Sequence, residues 1–177
     1  MNPVIQHAPP AVRPRQVAVG LADRALSTDV NSLLITFALG SCLGVSLWDP
    51  IAHVGGLLHL MLPESSTNPE KGVTQPFMFA DTGVPRFFKE AYALGAEKAR
   101  LVVCVAGGAS LGVPGESCFQ IGQRNIATLR KLFWKNGVLI HAQETGGRTP
   151  RTMSIHVGTG EVTLKTDTGT RILAQGK

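Results

Sequence analysis

Between residues 32 and 62 the chain sets three apolar runs almost end to end, at 32–39, 42–48 and 54–62, parted only by Gly40-Ser41 and by a segment that opens with Asp49-Pro50. Each run is too short for a stable helix and is rich in Val, Leu and Ile, so the three read as consecutive strands. The Asp-Pro step marks a turn, which folds the second and third runs into a hairpin. With that turn centred near Ile51, residue 42 falls opposite about residue 60, within one residue of His59. A further short run at 16–20 reads as a strand preceding these.

Downstream the period changes. Asp81 or Thr82 can cap a helix whose stripe is Val84, Phe87, Phe88, Ala91 and Tyr92, with Pro85 tolerated in the opening turn and Gly95 ending it. Residues 100–106 read as a buried strand running into Gly107-Gly108, and a loop through Gly115 leads to a second amphipathic helix over 122–136, with Ile126, Leu129, Leu132 and Phe133 as its stripe and Gly137 as its cap. Strands follow at 138–143, 151–157, 161–165 and 171–173. The polar stretch 64–75, just after His59, has no periodicity and reads as a mobile surface loop. About nine strands and two helices predict an α+β fold of layered, mixed, largely antiparallel sheets, with the two main helices packed on the sheet faces. Residues 1–15, Pro-rich and without an apolar core, read as a flexible N-terminal tail and not as a secretory signal, and residues 16–177 as one domain. A 44% hydrophobic and 16% charged composition suits one core of that size.

Several function classes fall away. The longest apolar run is far below the roughly 20 residues that cross a bilayer, so membrane insertion is not expected. The formal charge of +5 comes from scattered Lys and Arg in a chain with only 6% aromatic residues, which points to a basic surface, suited to an acidic protein partner, and away from nucleic acid. Three cysteines without framework spacing suggest a reducing compartment, the cytoplasm. Without CxxC or HxxxH spacing, no metal and no cofactor is expected.

The chemistry concentrates on Cys42. It follows Gly40-Ser41 at a turn where little bulk hides the thiol. A thiol needs a base to become an effective nucleophile, and of the five histidines His59 alone is embedded in a strand apolar on both faces. An unpartnered imidazole there would cost about 1–3 kcal/mol, so a partner is required, and the hairpin makes the region of Cys42 the nearest candidate. Thr36 and Ser41 are the polar residues near the thiol in sequence. Backbone N–H groups around Gly40, Ser41 and Cys42 can supply an oxyanion hole. A thiol pKa below the free value is expected from such a pair. Cys104, within LVVCVA, and Cys118 read as inert.

These residues also carry a resemblance. LGSC at 39–42, Trp48-Asp49-Pro50, GGLLHLMLPES at 55–65, FADTGVP at 79–85, GGASL at 107–111, IGQRNI at 121–126 and ETGG at 144–147 resemble, in this order, the chemoreceptor glutamine deamidase family CheD. The resemblance implies hydrolysis of glutamine side chains of methyl-accepting chemotaxis receptors to glutamate and ammonia through a cysteine thioester. It assigns Cys42 as nucleophile, His59 as base and Thr36 as the third member of the site. It further implies a layered fold like that of bacterial toxin deamidases, a CheC-type phosphatase as partner, and a minor receptor methylesterase activity. The alternative is a non-catalytic module that binds CheC or the receptors.

Overall fold

The computed structural model of the chain describes residues 14–110 and 117–176, and the side chains of all of these except 117–119. The expected tail thus lies almost wholly outside the described residues, and the first strand opens at Arg15.

Two five-stranded sheets are stacked face to face. The first has the order β1 (Arg15–Val19), β3 (Ser32–Leu39), β8 (Arg151–His156), β9 (Val162–Thr166), β10 (Gly169–Ala174). The second has the order β2 (Asp23–Ser27), β5 (Val54–Leu60), β4 (Leu43–Asp49), β6 (Val102–Gly107), β7 (Ala142–Thr145). Only β1 with β3 and β6 with β7 run parallel, so the sheets are mixed and largely antiparallel. Helices α2 (Ala80–Ala93) and α3 (Ser117–Lys135) both cover one face of the second sheet. The expected α+β class is found, with both long helices on the same side.

Strand periodicity explains the layering. Leu43, Val45 and Leu47 of β4, with Val54, Leu58 and Leu60 of β5, meet Val84, Phe87 and Phe88 of α2 and Leu129 and Phe133 of α3. The alternate residues, Trp48 and Leu57 among them, face the first sheet and pack on Leu34, Met153, Ile155 and Leu164. Both hairpin strands are buried throughout, as runs apolar on both faces require.

Local expectations differ from what is found at several places: the strand expected over 138–143 is found at Ala142–Thr145, and the helix expected to be capped by Asp81 or Thr82 begins at Ala80, with Asp81 accepting from Ser65 instead. The edge strand β2, with the sequence DRALS, has no apolar alternation to announce it. The stretch 64–75 is not an irregular loop: Asn68 accepts a bond from the Lys71 N–H at 3.0 Å and caps α1 (Pro69–Thr74), with Pro69 in the opening turn. Helix α3 begins at Ser117, five residues before the expected start, and Gly122 lies inside it. A Cβ at Gly122 would stand 2.6 Å from the Gly108 carbonyl oxygen and 3.0 Å from that of Ala109, so glycine serves there as a contact surface.

Candidate functional site

The hairpin register decides which side chains share a face. Asp49 pairs with Val54, Gly44 with His59 and Leu43 with Leu60, which puts residue 42 opposite 61 and not 60. A one-residue slip exchanges the faces of every side chain. In the expected register His59 and Cys42 would have pointed to opposite sides; in the observed one both belong to the face toward the first sheet, as diagonal neighbours across Gly44. The turn fixes this. Asp49 accepts from the N–H groups of Ile51 at 2.9 Å and Ala52 at 3.0 Å, closing a four-residue loop from Pro50 to His53 with His53 at φ 50°. Asp49 also accepts from the Glu97 N–H at 2.8 Å and pairs with Arg100 at 2.9 Å.

Thr36 reaches the same layer from the other sheet. Strand β3 bulges between Thr36 and Leu39, with Ala38 at φ 55°, so that Thr36 and Leu39 are both buried while Phe37 and Ala38 face out. The Thr36 hydroxyl donates to the Val19 carbonyl at 2.8 Å and lies 2.7 Å from His59 Nδ1. A hydroxyl has one proton. With that proton given to a carbonyl, which can only accept, Nδ1 must be the donor to Thr36 Oγ1. The imidazole is thereby held as the tautomer whose Nε2 carries a free lone pair. Nε2 is buried and, among the described residues, has no hydrogen-bond partner.

Cys42 is half-buried and packs at the edge of the inter-sheet cluster. Burial pushes its thiol pKa up, against a smaller lowering from its own backbone N–H. Burial also depresses the His59 imidazole from 6.5 to about 4. The resting pair is therefore neutral thiol and neutral imidazole, contrary to the expected low thiol pKa. Cys104 is fully buried and pushed up to about 11, in keeping with an inert thiol; Cys118 lies outside the described side chains.

The loop carrying Cys42 is gripped by segments to which sequence reasoning gave no role. Gly108 N–H donates to the Cys42 carbonyl at 2.8 Å and Ala109 N–H to that of Gly40 at 2.7 Å. Behind them Gly146 N–H bonds the Gly107 carbonyl at 2.8 Å and Ser110 N–H that of Gly147 at 2.8 Å. Arg151, buried, braces this outer turn through the carbonyls of Gly146 at 2.9 Å and Thr149 at 3.1 Å. Gly107 adopts φ 111°, and a Cβ on it would collide with the Cys42 carbonyl oxygen. Residues 107–110 and 146–147 thus back the loop that carries Cys42. Asn125 of α3 is the other unforeseen participant, donating from Nδ2 to the carbonyls of Ser41 and Met61, each at 2.9 Å. Of the expected oxyanion donors, Gly40 N–H is committed to the Ala38 carbonyl at 2.8 Å, whereas among the described residues no backbone carbonyl takes the N–H of Ser41 or Cys42.

These ionisations set the acid stability. In the unfolded chain His59 binds a proton as the pH falls below 6.5, but the folded protein refuses it until about 4, so stability is lost between those values. A shift of that size is worth about 3 kcal/mol. For Asp49, burial opposes ionisation, yet Arg100 and three backbone N–H groups overcome it and hold the carboxyl at about 2 against an ordinary 3.8, so its contribution is lost only in the window below His59's. Urea midpoints are therefore expected to fall between pH 6.5 and 4.5, and His59→Gln to flatten that decline while leaving the further loss at lower pH.

Residues 61–166 match the family described as CheD, chemotactic sensory transduction. That match begins two residues after His59. Similar proteins extend the likeness across the hairpin. "Probable chemoreceptor glutamine deamidase CheD 1" of Syntrophus aciditrophicus is 48% identical over 153 residues, 86% of this chain and 95% of that protein. The protein of Solibacter usitatus named "Probable chemoreceptor glutamine deamidase CheD" is 43% identical over 150 residues, 85% of this chain and 88% of its own length. One from Pyrococcus abyssi with the same name is 35% identical over 161 residues, covering 90% of this chain and 96% of that protein. No described helix is long and apolar enough to cross a membrane. By family match and by identity over most of its length, the chain belongs to the CheD family.

Proposed function

We propose that the protein hydrolyses glutamine side chains of chemoreceptors to glutamate and ammonia, with Cys42 as nucleophile, His59 as base and Thr36 as the group that orients the base. The observation that carries the reading is the Val19–Thr36–His59 chain of hydrogen bonds, which leaves a buried Nε2, without a partner among the described residues, on the face it shares with Cys42. The names of the related proteins supply the substrate class.

The chemistry starts from a neutral pair. As Sγ attacks the side-chain carbonyl carbon, Nε2 takes the thiol proton, and the oxygen that gains charge is met by the N–H groups of Ser41 and Cys42. The imidazolium then protonates the departing nitrogen, ammonia leaves, and a thioester remains. Water attacks the thioester while Nε2 takes its proton and passes it to the sulfur, regenerating the thiol and releasing glutamate. A glutamyl methyl ester offers a similar acyl carbon, which supports a minor methylesterase activity. The reaction is read as cytoplasmic, where a thiol nucleophile stays reduced, and a CheC-type phosphatase is proposed as partner.

The test is mass spectrometry of a glutamine-containing receptor peptide incubated with the protein, with and without a primary amine. Deamidation adds about one dalton per site, as NH₂ gives way to OH, and releases ammonia in equal amount. Amine incorporation would make the protein a transglutaminase and chain cleavage a protease; an unchanged peptide would remove the enzymatic reading.

A further inference from the structure

Asn125 is fully buried on α3 and spends both Nδ2 protons on two backbone carbonyls at 2.9 Å, that of Ser41 and that of Met61. The orientation of the amide is thereby fixed, since turning it over would set its oxygen against two carbonyl oxygens. Among the described residues its Oδ1 has no partner, so the two donated bonds account for the polar character of this buried position. The Ser41 carbonyl shares a planar trans peptide unit with the Cys42 N–H, and the C=O and N–H bonds of such a unit point in opposite directions. Holding the Ser41 oxygen toward α3 turns the Cys42 N–H away from the helix. The second bond ties the same side chain to the segment two residues beyond His59. One amide therefore joins the loop of the nucleophile to the strand of the base.

We propose that Asn125 is a positioning residue that aims the Cys42 backbone N–H at the oxygen that gains charge during acyl transfer. This rests on the reading of Cys42 as nucleophile and adds to it a requirement specific to attack on a carbonyl. Alkylation of Cys42 by iodoacetamide displaces iodide and develops no oxyanion, so it reports the thiol and its base without the oxyanion donor.

The experiment compares kcat for ammonia release from a glutamine-containing receptor peptide with the rate of Cys42 alkylation, in Asn125→Leu and Asn125→Asp of the full chain, with circular dichroism to establish the fold. In Asn125→Leu kcat is expected to fall about tenfold to a hundredfold, part of the loss seen when an oxyanion donor is deleted, with KM and the alkylation rate within about threefold of the parent. In Asn125→Asp the ionised carboxylate faces two carbonyl oxygens and the loss is larger at pH 8; protonation gives back one O–H donor, so relative activity recovers as the pH is lowered toward 6. A kcat within about threefold of the parent in Asn125→Leu overturns the proposal. So does a parallel fall of kcat and alkylation, which would mean that Asn125 only holds the loop together. If Asn125→Leu does not fold, the pH profile of Asn125→Asp decides: recovery toward low pH supports the proposal and a profile parallel to the parent's overturns it. Activity in Cys42→Ala would instead overturn the reading of the site, whatever Asn125 does.

Discussion

Cys42→Ala is expected to abolish ammonia release, by about four orders of magnitude or more, while leaving the fold and the peptide affinity in place. Loss of a covalent nucleophile removes the reaction path itself, and members of such a unit fail together, so His59→Gln should cost a similar factor and the double variant little beyond either. The structure makes this test clean. Cys42 is only half-buried and packs at the edge of the inter-sheet cluster, so alanine leaves a small gap there. The urea midpoint of Cys42→Ala should lie close to the parent's, and a folded, peptide-binding, inactive protein is the expected result. Turnover within about tenfold of the parent would remove Cys42 from the mechanism, whereas an inactive variant that still supports signalling in cells would favour a binding module. The neutral resting pair adds a signature. Alkylation of Cys42 should rise only at pH values at or above those of a free thiol, because burial holds the thiol up and the imidazole down. Assistance by His59 would then appear in the transition state of attack and not as a standing ion pair.

How much of this was legible beforehand depends on the distance over which each feature is encoded. The strand at Ser32–Leu39 and the hairpin that follows were read with their ends nearly right, because apolar runs and an Asp-Pro turn are local signals. Cys42 and His59 stand out as candidates for the same reason, one from its Gly-Ser approach and the other from its apolar strand. The register was not. It turns on Asp49, whose carboxylate closes the loop through Ile51 and Ala52 and is held from outside by Glu97 and Arg100, 48 and 51 residues away, which a turn read from Asp-Pro alone leaves open by one residue. That residue decides whether thiol and imidazole share a face. The bulge at Phe37 and Ala38, which brings Thr36 inward, has no glycine to mark it, since Ala38 itself takes the positive φ. Asn125, with no neighbour in sequence to give it meaning, gains its part only when α3 crosses the ends of the loop and of β5.

Thr36→Val is the sharper test of the chemistry, because valine keeps the shape and removes only the oxygen. Two buried groups then lose their partner: the Val19 carbonyl, which accepted the hydroxyl proton, and His59 Nδ1, which donated to the oxygen. Each bare group costs about 1–3 kcal/mol, so a stability loss of about 2 kcal/mol is expected from urea unfolding. The larger effect falls on kcat. Nothing then favours the proton on Nδ1 over Nε2, and an imidazole carrying its proton on Nε2 cannot accept one from the thiol. Where a group that orients a catalytic histidine is replaced by one imposing the wrong tautomer, rates fall by up to about 10⁴; removing the orienting bond without imposing the opposite tautomer is expected to cost about 10² to 10³. KM should change little, since Thr36 is fully buried and has no surface to offer a peptide. Alkylation of Cys42 should slow as well, because it draws on the same lone pair, in contrast to the behaviour expected of the Asn125 variants. Thr36→Ser restores the oxygen at the cost of a methyl group and should recover most of kcat while remaining about 1 kcal/mol less stable than the parent. A Thr36→Val protein that keeps kcat within about twofold would mean that the tautomer of His59 is set elsewhere, and the relay from Val19 would then be structural only.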